Sequence, residues 1–153
     1  MATDILILLG SDSDREQFDD SAKYADYFGI TWSLEIISAH RNPEKLVERI
    51  RQAEDGGTEV LIACAGMAAH LAGACAAHSV LPVIGVPGAG STLGGLDALL
   101  STVQMPAGVP VATVAIGKAG ARNAVILAAQ ILSVKRPEIR ERLRTFKKAG
   151  ARL

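Results

Sequence analysis

The chain reads as an α/β fold: a three-layer sandwich in which helices cover both faces of a five-stranded parallel sheet of flavodoxin-like order, with one further helix at the C-terminus. Two observations predict it. Apolar runs of strand length alternate with helical patterns along the whole sequence, which is the repeating unit that builds parallel sheets. Most of those runs are continuously hydrophobic rather than alternating, as strands buried on both faces are. Right-handed crossovers then leave few compact strand orders. At 153 residues the sequence fits one domain, 1–153, of a size that buries about two thirds of its unfolded surface.

Taken in order, the first strand is expected at 4–9, carried by Ile5 to Leu9, followed by a helix at 15–28 that Gly29 closes as a left-handed cap. A second strand at 31–37 leads through Ser38-Ala39-His40-Arg41 into a helix at 43–55. Asn42 stands at the cap of that helix, Pro43 pre-sets its first turn, and Glu44 lies at its positive end. Gly56-Gly57 closes it in the same left-handed manner as Gly29. The third strand is expected at 58–64, then a helix at 67–78, and a fourth strand at 81–86. Pro87-Gly88-Ala89-Gly90-Ser91 is a glycine-rich loop at the end of that strand, which either closes over a ligand or serves only as a turn. A helix at 94–102, a fifth strand at 110–116, a helix at 120–133 and a charged helix from Pro137 to Lys148 complete the chain. No internal repeat, linker or low-complexity tract interrupts it.

Lysine plus arginine equals aspartate plus glutamate at 16 each, so overall charge draws the chain neither to nucleic acid nor to an anionic membrane. A small, locally recognised ligand is the expected partner. No apolar run is long enough to cross a bilayer and no leader pattern precedes the first strand, which gives a cytoplasmic expectation. Cys64 and Cys75 lie in a segment rich in alanine and glycine and read as core residues rather than metal or redox ligands.

Two segments concentrate the chemistry, and both sit where a strand gives way to a helix, the edge at which ligands bind a parallel sheet. Gly10-Ser11-Asp12-Ser13-Asp14 offers close backbone approach, hydroxyl donors and free N–H groups, which suit a phosphate. It is equally a good helix-capping sequence. It lacks the lysine of a nucleoside triphosphate loop and the glycine spacing of a dinucleotide fold, so neither ATP nor NAD is indicated. Ser38-Ala39-His40-Arg41 adds an arginine and an imidazole, a group that exchanges protons near neutral pH. His40 has no packing reason to stand before a capped helix, whereas His70, in an apolar helical stretch, is expected to be buried and hydrogen-bonded. His78 favours the dipole at the end of the same helix. The three histidines lack ligand spacing, so no metal is expected, and no Gly-x-Ser-x-Gly elbow supports a serine hydrolase.

Gly10 to Asp14, Ser38 to Arg41, Ala68-Ala69-His70-Leu71, Val103-Gln104-Met105-Pro106 and Pro110 to Ile116, in that order across nearly the whole chain, resemble the class I PurE family. The resemblance implies an N5-carboxyaminoimidazole ribonucleotide mutase of purine biosynthesis. Such an enzyme moves a carboxylate from the exocyclic nitrogen to ring carbon C4 and uses no cofactor, whether ATP, metal or biotin. It implies that His40 is the acid and base, that Ser11, Ser38 and Arg41 hold the phosphate, and that Asp14 accepts from the ribose. Ala65 and Gly66, in the wall Cys64 to Ala69, together with His70, would bind the base and its carboxylate. It also implies a homo-octamer with sites at subunit junctions.

Four features depart from the family pattern. Asn42 replaces a threonine, Ala72 a proline, and the 88–91 loop is smaller than usual. Met67 replaces a glycine, and its side chain either narrows the pocket or packs beneath it. The nearest alternative activity is the direct carboxylation of aminoimidazole ribonucleotide by class II relatives, which Arg41 and the Ala68 to Leu71 motif disfavour. A nucleotide-binding protein without turnover is the alternative outside catalysis.

Overall fold

A strand such as Ile5-Leu6-Ile7-Leu8-Leu9, apolar at every position, needs cover on both faces. The computed structural model, which describes residues 3–153, provides it; residues 1 and 2 of the expected 1–153 domain lie outside the described residues. The strands β1 (Ile5–Leu9), β2 (Trp32–Ile36), β3 (Val60–Ala65), β4 (Val83–Pro87) and β5 (Ala112–Thr113) are all parallel. They lie in the order β2-β1-β3-β4-β5, the expected flavodoxin-like arrangement.

The pleat divides the core in two. Ile5, Ile7 and Leu9 face one way, onto α1 (Ser21–Phe28), α5 (Gly117–Leu132) and α6 (Pro137–Lys148). Leu6 and Leu8 face the other way, onto α2 (Pro43–Asp55) and α3 (Leu71–His78). Each of these fully buried aliphatic side chains contributes about 1.5–3 kcal/mol relative to exposure. A helix α4 (Leu96–Val103) covers β4 and β5, and it can lie close only because position 85 is glycine: a Cβ there would meet the methyls of Thr102 and of Val111, the latter at 2.8 Å. The C-terminal helix is anchored by Phe146, whose ring packs against Tyr24, Tyr27 and Phe28 with centroids 5.4–6.0 Å apart. Arg136 pins the start of that helix to the bottom of the sheet through Asp4, at 2.7 Å, and Glu59. Burial alone would raise the Asp4 carboxyl, but hydrogen bonds from Arg136 and Thr31 outweigh it and hold the group below its ordinary value.

Several expected boundaries change, each for a local reason. The helix expected at 15–28 is a 3-10 segment, Asp12–Phe18, followed by α1, because Ser11 and Asp14 bond the backbone of the first turn and tighten it. The helix expected from 67 starts only at Leu71, since Met67 is held at φ 54° and breaks the turn before it. β5 pairs through two residues rather than 110–116, an edge strand cut short beside Pro110, which has no N–H to donate. The helices expected from 94 and from 120 start at Leu96 and Gly117, and both are entered through positive-φ glycines. α2 keeps its expected bounds, although the Asn42 side chain makes no capping bond. Of the glycines expected to close helices, Gly29 is left-handed at φ 70°, but at the end of α2 Gly57, not Gly56, takes that role. β2, at the sheet edge, is half-buried rather than fully covered.

Candidate active site

Because all five strands run the same way, the loops leaving β1, β2, β3 and β4 meet at one edge. They enclose an open cavity of about 880 Å³. A shallower depression of about 340 Å³ lies on the outer face of α2, between Pro43, Val47 and Arg51. It draws on a single helix and brings no groups together from separate elements.

After β1, the Gly10 N–H donates to the Cys64 carbonyl at 2.9 Å, and a Cβ at Gly10 would come within 3.1 Å of the Ala65 Cβ, so the first and third loops start in contact. The Ser11 N–H donates to Asp14 Oδ2 at 3.2 Å, and Ser11 Oγ accepts from the Ser13 N–H at 3.4 Å and the Ser13 hydroxyl at 3.0 Å. The capping reading of this segment is therefore realised. It leaves the exposed Ser11 hydroxyl its own proton to donate into the cavity. Asp14 is only 6% exposed. Burial pushes its carboxyl above the ordinary value, and the bonds from Ser11 and Gln17 pull partly back.

After β2, a tight turn presents the second motif. Ser38 Oγ accepts from the Arg41 N–H at 3.3 Å and the Ser38 carbonyl accepts from the Asn42 N–H at 2.9 Å. The turn pushes His40 and Arg41 to the surface of the cavity. Arg41 enters none of the ion pairs among the described residues, so its five donors point to no internal anion.

After β3, Ala65 and Gly66 form the floor, and Met67 stands in a left-handed conformation with 63% of its surface exposed. Met67 therefore projects at the rim instead of packing beneath the pocket. His70 also departs from expectation: it is exposed, not buried, because α3 begins after it and leaves it on the loop rather than on the apolar helix face. Its hydrogen-bond partner is His40. Nε2 of His40 lies 2.6 Å from Nδ1 of His70, with the rings edge-to-face at 84°. In a hydrogen bond one of these nitrogens donates and the other accepts, the roles following the tautomers. His78 ends α3 as expected.

After β4, Gly88 packs so tightly on the third loop that a Cβ there would be 2.9 Å from the Gly66 nitrogen. Ser91 fixes the far end of the loop, donating to Asp97 at 2.7 Å and accepting from the Leu93 and Gly95 N–H groups at 3.2 Å. Ala89 and Gly90 line the cavity, so this segment is a wall of the site and more than a turn. The residue that sequence reasoning missed is Gln17, buried between Asp14 and Ala89. Its spacing of three from Asp14 was the only available signal, and that spacing belongs equally to any helical surface.

Cys64 and Cys75 are unpaired and buried; burial raises both thiols, that of Cys75 to about 12, and takes them out of the chemistry near neutral pH. Among the described residues no group of three or more His, Cys, Asp or Glu stands together to hold a metal ion. The cavity thus combines a hydrogen-bonded pair of imidazoles, an unpaired guanidinium with hydroxyls for an anion, and a buried carboxylate.

Residues 4–152 match the family described as AIR carboxylase. The chain is 52% identical to the N5-carboxyaminoimidazole ribonucleotide mutase of Pseudomonas aeruginosa, over 92% of this chain and 86% of that protein. It is 53% identical to the mutase of the same name from Pyrococcus horikoshii, over 93% of this chain and 79% of that one. The crystal structure of Treponema denticola PurE superposes with a TM-score of 0.87 at 28% identity, covering 96% of this chain and 90% of that one.

Proposed function

The chain belongs to the AIR carboxylase family, and we propose that it is an N5-carboxyaminoimidazole ribonucleotide mutase, an isomerase of purine biosynthesis. The observation that carries the reading is the His40–His70 contact at the mouth of the cavity. A carboxylate migration from nitrogen to carbon needs one proton delivered and one removed, and a single imidazole serves both steps if it is held within reach of both atoms.

The proposed sequence balances on His40. Its imidazolium gives a proton to the exocyclic nitrogen as the N–C bond of the carbamate breaks, leaving aminoimidazole ribonucleotide and carbon dioxide. C4 of the electron-rich ring then attacks the carbon of carbon dioxide. Neutral His40 takes the C4 proton, which restores the aromatic ring and recharges the imidazole, so the cycle uses no net proton. His70 fixes the orientation of the His40 ring through the 2.6 Å contact and faces the base end of the substrate. Arg41, Ser11 and Ser38 bind the phosphate, the guanidinium supplying the strongest hydrogen bonds. Asp14 accepts from a ribose hydroxyl with the lone pairs left over from Ser11 and Gln17. Backbone N–H groups along Ala65 and Gly66 meet the base and its carboxylate.

We read the whole chain as one catalytic domain acting as a homo-octamer in the cytoplasm. Two observations support the assembly. Leu96, Leu100 and Val103 form an exposed apolar stripe at helical spacing along α4, a surface of the kind that subunit contacts cover. His40 and Arg41, which line the cavity, are also exposed in the single chain, where a neighbouring subunit would cover them. Among the described residues no helix is long and apolar enough to cross a membrane.

The test is conversion of freshly generated N5-carboxyaminoimidazole ribonucleotide to its C4-carboxylated isomer, run beside aminoimidazole ribonucleotide with bicarbonate. Rapid conversion of the first alone establishes the mutase. Preference for the second moves the protein to the direct carboxylases, and tight nucleotide binding with no conversion makes it a binding protein.

A further inference from the structure

Gln17 is 7% exposed, and a buried amide that bonds only to parts of a binding site needs an explanation. Its Nε2 donates to Asp14 Oδ1 at 3.3 Å, and its Oε1 accepts from the Ala89 N–H at 3.2 Å. These bonds join the loop after β1 to the loop after β4, two segments 72 residues apart that both line one cavity. From Ala89 the connection continues, since Gly88 packs on Gly66 and the Gly88 N–H donates to the Ala65 carbonyl at 2.8 Å. The amide is well suited to this position: a carboxylate needs a donor and a backbone N–H needs an acceptor, and glutamine supplies both.

We infer that Gln17 is a positioning residue that couples the ribose carboxylate of Asp14 to the 88–91 wall, so that the bound nucleotide and the pocket retaining carbon dioxide are held together. This rests on the mutase reading. Carbon dioxide is free between the two half-reactions, and whether it recombines or escapes depends on how long the wall stays in place. Ala89 and Gly90 have no bulky side chains to hold that wall; between the anchored Gly88 and Ser91, the bond from Ala89 to Gln17 holds it.

The experiment compares the wild type with Gln17→Leu, which keeps the volume and deletes both bonds, and Gln17→Glu, which keeps the acceptor for Ala89 and loses the donor to Asp14. Each is assayed for the ratio of aminoimidazole ribonucleotide released to C4-carboxylated product formed, together with KM, kcat and hydrogen exchange at the Ala89 amide. Of the two bonds deleted, the one to Ala89 holds the wall, and its loss, worth one net hydrogen bond, predicts that Gln17→Leu leaks roughly 2- to 13-fold more aminoimidazole ribonucleotide per product and exchanges the Ala89 amide faster by a similar factor. Gln17→Glu should keep the wild-type ratio while raising KM, because its carboxylate lies against that of Asp14. A merely structural role would lower kcat and thermal stability with the ratio unchanged, and that result overturns the inference. Gln17→Met tests the same loss if the leucine variant does not fold. A wild type that converts no N5-carboxyaminoimidazole ribonucleotide overturns the mutase reading itself, whereas an active wild type with a leucine variant of equal ratio overturns only the role of Gln17.

Discussion

Replacing His70 by phenylalanine separates the two histidines most sharply. Phenylalanine preserves a flat ring that can pack edge-to-face on His40, as the native pair does at a centroid distance of 4.7 Å, while deleting the nitrogen 2.6 Å from His40 Nε2. If His70 only orients its neighbour, what is lost is one hydrogen bond between exposed groups, about 0.5–1.5 kcal/mol, or a 2- to 13-fold fall in kcat. KM should change less than kcat, because the phosphate and ribose contacts are made by other loops and the ring facing the base is kept. His40→Asn removes the proton carrier itself and should cost roughly 10²- to 10⁴-fold in kcat, the usual worth of general acid-base catalysis, with nucleotide affinity nearly intact. The assay is initial-rate formation of the C4-carboxylated isomer from fresh substrate, with ligand affinity measured by calorimetry on the same preparations. Should His70→Phe fall by more than about 10²-fold, into the range expected of a proton carrier, His70 itself would be moving the proton. Retention of more than about a tenth of the activity by His40→Asn would refute the shuttle assignment outright.

Three further outcomes are expected. Arg41→Ala should raise KM by about 10- to 150-fold, since hydrogen bonds to a charged group are worth roughly 1.5–3 kcal/mol, and a change in kcat at constant KM would remove Arg41 from the phosphate site. Burial raises the Asp14 carboxyl above 3.8, so the folded state holds that proton more tightly than the unfolded chain and the native protein loses stability as pH rises from 3.8 through the raised value. Asp14→Asn lacks this penalty; its melting temperature relative to the wild type should therefore climb across that window, and a flat difference would show that the group is not perturbed. Leu100→Glu on the exposed stripe of α4 should shift the protein to smaller species in sedimentation or light scattering, with activity falling alongside; an unchanged mass would take that stripe out of the assembly.

Much of the architecture was legible because it is written in short-range signals. Continuous apolar runs marked β1, β3 and β4, and Asn42-Pro43-Glu44 marked the start of α2 to the residue. The same alternation of strand and helix placed Ser11, Asp14, Ser38 and His40 at strand carboxyl ends, so the sequence alone determined that these loops share an edge. Tertiary structure decided what meets across that edge. Apolar neighbours give His70 the signature of a buried helix-face residue, yet Met67 at φ 54° delays the helix and turns His70 outward to a partner thirty residues away. β5 shrank to two residues because hydrogen bonds to a neighbouring strand define a strand, and apolar composition from 110 to 116 does not supply them. Gln17 carried no motif at all; its meaning lies in Ala89, 72 positions downstream. Periodicity and capping act over a few residues and are visible in one dimension. Convergence of loops depends on strand order and helix packing, which bring together residues whose separation along the chain says nothing of their distance in space.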